Sequence, residues 1–441
     1  MFFRERRSIL EKVIKVGLLG LGTVGKGVYR ILTGNAENIS QKIGARLEVA
    51  RILVRSPGKD RGTAVAPAVL TTDYQEIVDN PEIEIVVEVM GGLHPAREYA
   101  LQALSNGKSL VTANKDLIAE YGRELFEAAA KSGADVLFEG SVGGGIPIIR
   151  PLKHCLAANR ILKIMGIING TTNYILSKMT AEGSDFAAAL DEARAKGYAE
   201  ADPSADIEGK DAARKLAILA SIAFNSRVGL DEIYVEGISR ITARDIAYAK
   251  ELNCVIKLLG IAKETEDGIE ARVHPVLIPR RHPLAAVSDV FNAVYVQGDA
   301  VGNVMFYGRG AGEMPTGSAV AADIMEAARN RLHQVTGLNG CTCFEQKPVL
   351  PVEHIQTKYY LRLTVADRPG VMASIAYAFG DKEVSLASVI QKHTDGRRAE
   401  IVMVTHLVSE QNLQDALKIV EKLSAVDEIC AVIRVEEEDA L

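Results

Sequence analysis

The chain has 441 residues, 48% of them hydrophobic, which is apolar material for several cores and, at about 150 residues per domain, roughly three domains. Its formal net charge is −6, with no tryptophan and 5% aromatics. That balance disfavours nucleic-acid and anionic-membrane partners, which need clustered Lys and Arg or aromatic platforms for bases. Five cysteines, odd in number and sparse, argue against a disulfide framework and for a reducing, cytoplasmic setting. Cys341 and Cys343 are the one close pair, without the C-x-x-C spacing and second pair of a metal site. The basic start, Met1-Phe-Phe-Arg-Glu-Arg-Arg, leads into a glycine-interrupted run rather than the apolar core of a leader. No apolar stretch approaches the roughly 20 residues that span a bilayer.

In chain order, residues 13–19 read as a strand buried on both faces, as in parallel sheets, and 25–32 as a helix. Strands follow at 46–54, 83–89, 109–112 and 135–138, with helices at 73–79, 95–106 and 116–132. This alternation predicts an α/β fold that opens with a Rossmann-type doubly wound parallel sheet over 1–138. The glycines and proline of 139–147 mark the junction to an α+β catalytic and dimerisation domain over 139–335. Its predicted helices lie at 148–157, 185–196, 209–224 and 243–259, and its strands at 162–168, 270–278 and 293–298. A helix over 318–334, capped by Ser318 or Thr316, is free to return to the first domain. Residues 336–358 read as a linker. The remainder, 359–441, restarts as strand 359–366, helix 370–380, strands 384–392 and 399–408, helix 410–424 and strand 428–435. That βαββαβ order is ferredoxin-like.

Gly20-Leu21-Gly22-Thr23-Val24-Gly25 is a G-x-G-x-x-G sequence between a predicted strand and helix, the context a dinucleotide loop requires. Its glycines permit the turn, the approach of a pyrophosphate and close helix packing, while Thr23 and Val24 donate from the first helical turn. The second strand ends in Arg55 rather than a carboxylate, with Lys59 beyond. An arginine there attracts a 2′-phosphate and favours NADP over NAD; alternatively Arg55 and Lys59 face solvent.

Two segments concentrate chemistry: Asn169-Gly-Thr171-Thr172-Asn173-Tyr174, and the charged run from Lys196 to Lys215. Asp211 and Lys215 are four apart, on one helical face. Ile218, Leu219 and Ile222 continue that face, so the pair can point inward; a solvated surface pair is the alternative.

Taken together, GLGTVG (20–25), VTANK (111–115), EGSVGGGIPII (139–149), NGTTNYIL (169–176), GYAEADPSADIEGKDAARK (197–215) and GRGAGEMPTGSAV (308–320) resemble homoserine dehydrogenases over essentially the full chain. The C-terminal module resembles an ACT domain, with Asp367-Arg-Pro-Gly370 as its first loop. The resemblance implies reversible reduction of L-aspartate 4-semialdehyde to L-homoserine by NAD(P)H, in threonine, methionine and isoleucine biosynthesis. It implies that Lys215 is catalytic, that Glu200 and Asp211 bind substrate, and that Lys115 lies between nicotinamide and substrate. Gly197, Gly312 and Glu313 then approach the cofactor, and Glu139, Val142, Gly144 and Ile146 form a sodium site built mostly from backbone oxygens, ligands that suit a hard cation.

Reducing an aldehyde requires a hydride at carbon and a proton donor or positive charge at oxygen, and a lysine ammonium supplies the second. The amino-acid substrate's ammonium suits Glu200 and Asp211, and its carboxylate suits Thr171, Thr172 and nearby N–H groups. The ACT-like module implies an amino-acid effector, threonine first, and its sheet edges imply at least a homodimer, or a homotetramer. Three other readings stay open: a histidine-based hydroxy-acid dehydrogenase, another semialdehyde dehydrogenase with Cys155 as nucleophile, and a non-catalytic sensor of dinucleotide and amino acid.

Overall fold

The computed structural model describes residues 12–337, 340–392 and 396–436. The basic start read as carrying no leader lies outside them. The described chain forms two compact units, the first made of residues up to 161 with 217–230 and 292–346, the second of 162–216, 231–291 and 347 onward.

In the first unit β1 (Val13–Leu19), β2 (Arg46–Leu53), β3 (Leu70–Thr71), β4 (Ile83–Glu88), β5 (Ser109–Thr112) and β6 (Val136–Leu137) form a six-stranded parallel sheet in the order β3-β2-β1-β4-β5-β6. The order reverses direction from β1, and that switch point is where such sheets bind dinucleotides. The apolar runs of β1 and β4 are buried because helices cover both sheet faces. Helices α1 (Thr23–Gly34), α2 (Ala36–Ile43), α3 (Gln75–Val78), α4 (Ala96–Ser105) and α5 (Lys115–Ser132) fill the crossovers. Ile14, Val16, Leu18, Val28 and Ile52 share one core with Val320 and Ile324 of the helix Glu313–His333.

In the second unit β7 (Ile161–Ile167), β8 (Tyr234–Val235), β9 (Cys254–Glu264) and β10 (Ile269–Pro279) surround helices α6 (Gly170–Glu182), α7 (Phe186–Ala195) and α8 (Ser204–Ile207). Helix α9 (Lys210–Ala223) begins in this unit, and α10 (Ala243–Glu251) precedes β9. Strands β11 (Phe291–Gly298) and β12 (Gly302–Arg309) are neighbours and lead into α11 (Glu313–His333). The C-terminal module follows as β13 (Gln356–Ala366), α12 (Val371–Asp381), β14 (Leu386–Lys392), β15 (Arg398–Thr405), β16 (Val408–Ser409), α13 (Glu410–Val420) and β17 (Val426–Val435). Its own core gathers Tyr359, Leu361, Ile375, Phe379, Ile401, Met403 and Leu413. The ferredoxin-like order is therefore present, with the minor strand β16 added.

The module does not keep both sheet edges for other subunits, as its sequence suggested. β17 pairs in parallel with β10, Val276 opposite Arg434 and Leu277 opposite Val435, so the sheet runs β7-β9-β10-β17-β13-β15-β14. Buried ion pairs follow the same seam. Arg272 on β10, which has no exposed surface, meets Glu436 at 2.9 Å and Glu270 at 2.6 Å. Lys163 on β7 meets Glu436 at 3.1 Å. Arg434 on β17 meets Glu410 at 2.7 Å and Glu236 at 2.9 Å. Arg362 on β13 meets Asp245 of α10 at 2.8 Å.

Several elements differ from the sequence reading, and the helix expected over 148–157 is only a five-residue π-helical turn, Pro151–Cys155. The helix expected over 243–259 stops at Glu251, and Asn253, with φ +57°, turns the chain into β9. Helical propensity and the β-branched content of Val255 and Ile256 pull in opposite directions there, and the sheet wins. α11 starts at Glu313 rather than Ser318, capped by the Gly312 backbone without a side-chain hydrogen bond. Pro315 fits its first turn because N–H groups there have no intrahelical partner. α2 was not anticipated: its eight residues show little apolar signal beyond Ile39 and Ile43, which it buries.

Candidate active site

The catalytic cluster grows from the end of β7. Asn169 caps α6, its Oδ1 accepting from the Thr172 N–H at 2.9 Å. The amide's other end donates to Asp206 Oδ1 at 2.7 Å and to Asp211 Oδ2 at 2.9 Å. Lys215, one turn along α9, donates to Asp211 Oδ2 at 2.7 Å and to the Ile168 carbonyl at 2.8 Å. Both side chains of this pair are only 12–13% exposed. The inward reading of the i, i+4 pair therefore holds over the solvated one.

Asp206 was not singled out in the sequence, because it lies five residues before Asp211, a spacing no single helix puts on one face. The break at Gly209, φ +79°, between α8 and α9 brings them together around Asn169. Glu200 is exposed on the loop that begins at Gly197, φ +73°.

Thr171 and Thr172, expected to donate to the substrate carboxylate, turn their hydroxyls to their own chain. Thr171 donates to the Tyr198 carbonyl at 2.7 Å, with Asp206 Oδ2 at 3.2 Å, and Thr172 Oγ1 lies 3.0 Å from Asn169 Oδ1. Capping geometry claims both groups, so they position Tyr198 and Asn169. Asn173 is a latch: its Nδ2 reaches the carbonyls of Val287, Asp289 and Phe291, while Oδ1 accepts from Lys257 at 3.0 Å.

Lys257 is buried, donating to Asn173 Oδ1 and to the Val287 carbonyl, and burial pushes its pKa down to about 8. Between pH 8 and 10.5 the unfolded chain keeps this proton and the folded one has released it, so stability rises with pH across that window. Compared with Lys257→Met, the native chain should gain roughly 3 kcal/mol of unfolding free energy from pH 8 to 10.5. Chemical denaturation at three pH values measures it; parallel curves would mean an unshifted lysine.

In the first unit the dinucleotide loop runs from β1 into α1. Gly20 has φ +104°, and a Cβ on Gly25 would stand 2.2 Å from the Gly20 carbonyl oxygen, so that helix start admits glycine alone. A Cβ on Gly22 would meet nothing within 4 Å, which leaves the open side a pyrophosphate needs. Gly22 caps α1 without a side chain, so the N–H groups of Thr23 and Val24 carry the positive end of the helix. Leu21 is buried and anchors the turn, and Arg55 is exposed just past the end of β2.

Lys115 is the first residue of α5 and half-buried. The preceding cap residue, Asn114, accepts from the Leu117 N–H at 3.2 Å and donates to the Gly92 carbonyl at 2.6 Å. Behind it Glu88, fully buried at the end of β4, accepts from Thr112 Oγ1 at 2.7 Å and from the Met90 N–H at 2.8 Å. Burial raises the Glu88 pKa against those hydrogen bonds. Glu313, expected near the cofactor, is held by Arg30 at 2.6 Å and Lys26 at 3.5 Å, next to the cap Gly312, φ +124°.

The 139–147 turn also lies in this unit. The Glu139 carboxylate accepts from the N–H groups of Ile148, Ile149 and Arg150 at 2.5–2.8 Å, which ties the start of the turn to the segment that follows it. A Cβ on Gly144, φ +54°, would strike the Gly310 carbonyl oxygen at 2.4 Å. The turn that presents Val142, Gly144 and Ile146 carbonyls thus requires glycine. Among the described residues no group of three or more His, Cys, Asp or Glu could hold a metal. This donor set fits a hard alkali cation and not a transition metal. Among the described residues no helix is long and apolar enough to cross a membrane.

Comparison with known proteins shows the family to which the chain belongs. Sequence models matching the chain are those of the homoserine dehydrogenase NAD-binding domain over 20–139, homoserine dehydrogenase over 147–325 and the ACT domain over 359–425. A homoserine dehydrogenase of Synechocystis is 50% identical over 432 residues, covering 96% of this chain and 99% of that one. One from Mycobacterium tuberculosis is 48% identical over 438 residues, covering 97% and 98%. The crystal structure of the Thiobacillus denitrificans homoserine dehydrogenase superposes with a TM-score of 0.91 at 48% identity, covering 97% and 99%. A hyperthermophilic archaeal homoserine dehydrogenase in complex with NADPH matches 71% of this chain and 97% of its own at 29% identity, with a TM-score of 0.61. The chain belongs to the homoserine dehydrogenases, NAD(P)-dependent oxidoreductases of amino-acid biosynthesis, and carries a C-terminal ACT domain.

Proposed function

We propose that the enzyme works in the cytoplasm, reducing L-aspartate 4-semialdehyde reversibly to L-homoserine with NADPH in preference to NADH. The observation that carries the mechanism is Lys215, clasped by Asp211 and the Ile168 carbonyl beside the Asn169–Asp206 cluster. When bound, the nicotinamide supplies a hydride to the carbonyl carbon. The carbonyl oxygen gains charge, and the Lys215 ammonium stabilises it and gives it a proton; homoserine oxidation returns that proton. Glu200, Asp206 and Asp211 hold the substrate's ammonium, Asn169 keeps two of these carboxylates in register, and Lys115 adds positive charge from the cofactor side. Gly197, Gly312 and Glu313 shape the loops that approach the cofactor. The backbone oxygens of Glu139, Val142, Gly144 and Ile146 hold Na+, which fixes the turn leading into the second segment of the chain.

The NADP preference rests on Arg55 and the absence of a carboxylate at the end of β2. Initial rates followed at 340 nm with homoserine should favour NADP. Arg55→Glu should lower kcat/KM for NADP by about 10- to 100-fold and leave NAD within a few-fold, the worth of a charge-assisted phosphate contact. Absence of turnover with either cofactor would favour the non-catalytic sensor.

The ACT domain is read as binding threonine and lowering activity, with the β14 edge serving a homodimer or homotetramer. Because β17 is fused to β10, cutting the module away would strip Arg272 and Lys163 of Glu436, so a point change tests the idea better. In the Asp367–Gly370 loop, Asp367→Ala should raise the half-inhibiting threonine concentration at least tenfold, about 1.4 kcal/mol of binding, while uninhibited turnover stays within twofold. Unchanged inhibition would place the effector elsewhere.

A further inference from the structure

Beneath α5 and the last turns of α9, within the first unit, lies a pocket that the reaction does not use. Phe126, Phe138 and Ile218 form its apolar wall, and Lys153, Arg227 and Cys341 its polar rim. Cys341 is exposed there, and Cys343 half-buried beside it. The Cys341 sulfur accepts the Cys343 N–H at 3.4 Å and faces the Arg227 guanidinium at 3.9 Å. Lys153 lines the same pocket, donating to the Gly340 carbonyl at 2.9 Å, with its ammonium 5.5–5.6 Å from the ring centres of Phe126 and Phe138. The Cys343 thiol rests 3.7 Å from the Ser221 carbonyl, in the helix that carries Lys215.

A guanidinium and a backbone N–H on one accessible sulfur, with an ammonium and a second thiol lining the same pocket, are the surroundings that make a cysteine reactive. We propose that Cys341 and Cys343 form a redox-active dithiol that reacts with peroxides, Cys341 as the attacking thiolate and Cys343 as the resolving thiol. The Cys341 thiolate attacks one oxygen of the peroxide, the O–O bond breaks, and Cys341 becomes a sulfenic acid, while the departing alkoxide or hydroxide takes up the proton the Cys341 thiol had released and leaves as alcohol or water. The Cys343 sulfur then attacks the Cys341 sulfur, the S–O bond breaks, and hydroxide departs with the Cys343 proton as water. Two thiols lose two electrons and the peroxide gains them. Supporting this order, the Cys343 S–H and N–H, together with Arg227 and Lys153, hold the Cys341 thiol below the usual thiol range, and the same neighbour pushes Cys343 up.

The full-length protein, reduced and treated with one equivalent of hydrogen peroxide, is alkylated, digested and weighed. The 341–343 peptide should lose two hydrogens and resist alkylation until a reductant is added. Cys343→Ser should instead give a dimedone adduct at Cys341, and Cys341→Ser should give neither product. Monobromobimane at pH 6 should label Cys341 about fivefold faster than free glutathione, the thiolate gain minus the loss of intrinsic nucleophilicity. The proposal is overturned if dimedone marks Cys343 in Cys341→Ser as readily, if oxidation links two chains on a non-reducing gel, or if Cys341 labels no faster than glutathione.

Discussion

Lys215→Ala should cut kcat by about 10³-fold while changing KM for homoserine only a few-fold, because the ammonium acts on charge that develops in the transition state. The change leaves Asp211 with the Asn169 amide as a donor, so the carboxylate stays held within the cluster. Lys215→Arg tests position against charge. A guanidinium retains the positive charge but has no readily transferred proton, and it should recover only part of the loss. Steady-state rates in both directions, with the melting temperature as a check on folding, decide the matter. A folded Lys215→Ala enzyme with turnover near normal would remove the lysine from the chemistry.

The largest stability effect is expected on the seam between β10 and β17. Burial alone would push the Glu436 carboxyl up, but Lys263, Lys163 and Arg272 outweigh it and bring its pKa down to about 2. Glu436→Gln keeps the shape and removes the charge, leaving three cations on three strands, β7, β9 and β10, without their shared counter-ion. Breaking such a buried pair from one side costs about 3–5 kcal/mol, whereas a surface pair such as Arg123–Glu127 is screened by water and contributes little. Native Glu436 binds fewer protons than the unfolded chain between about pH 2 and 4.5, so its contribution is complete above that window and disappears as pH falls through it. Urea denaturation at pH 7 and at pH 3 should therefore show a large gap between native and variant that shrinks on acidification. A gap that is small at pH 7 would mean that water screens the cluster.

The strand–glycine loop–helix start was legible because periodicity and turn chemistry are local: β1, the Gly20–Gly25 turn and α1 fall where 13–19 and 25–32 were read. The βαββαβ order was legible for the same reason. The Asp211–Lys215 pair was legible in spacing, and its inward direction in the apolar residues that continue the face. Asn169 and Asp206 were not, since their partnership depends on how a strand end, a broken helix and a cap converge across some 40 residues. The boundary at Asn253 was missed where one residue's left-handed backbone overrides a helical pattern. The parallel join of β10 and β17 was invisible too, because strands 150 residues apart carry no local mark of their pairing. Its one trace is compositional: Arg272, Arg362 and Arg434 each stand between two apolar neighbours in their strands.

That join bears on how freely the sensing module can be exchanged. A cassette carrying β13 to β17 from another sensor would bring its own residues to positions 362, 434 and 436, while the recipient still offered Arg272, Glu236 and Asp245. A mismatch would bury lone charges, so a working chimera needs to graft the two sets as one electrostatic unit. Drift on either side of the join is then constrained by the other.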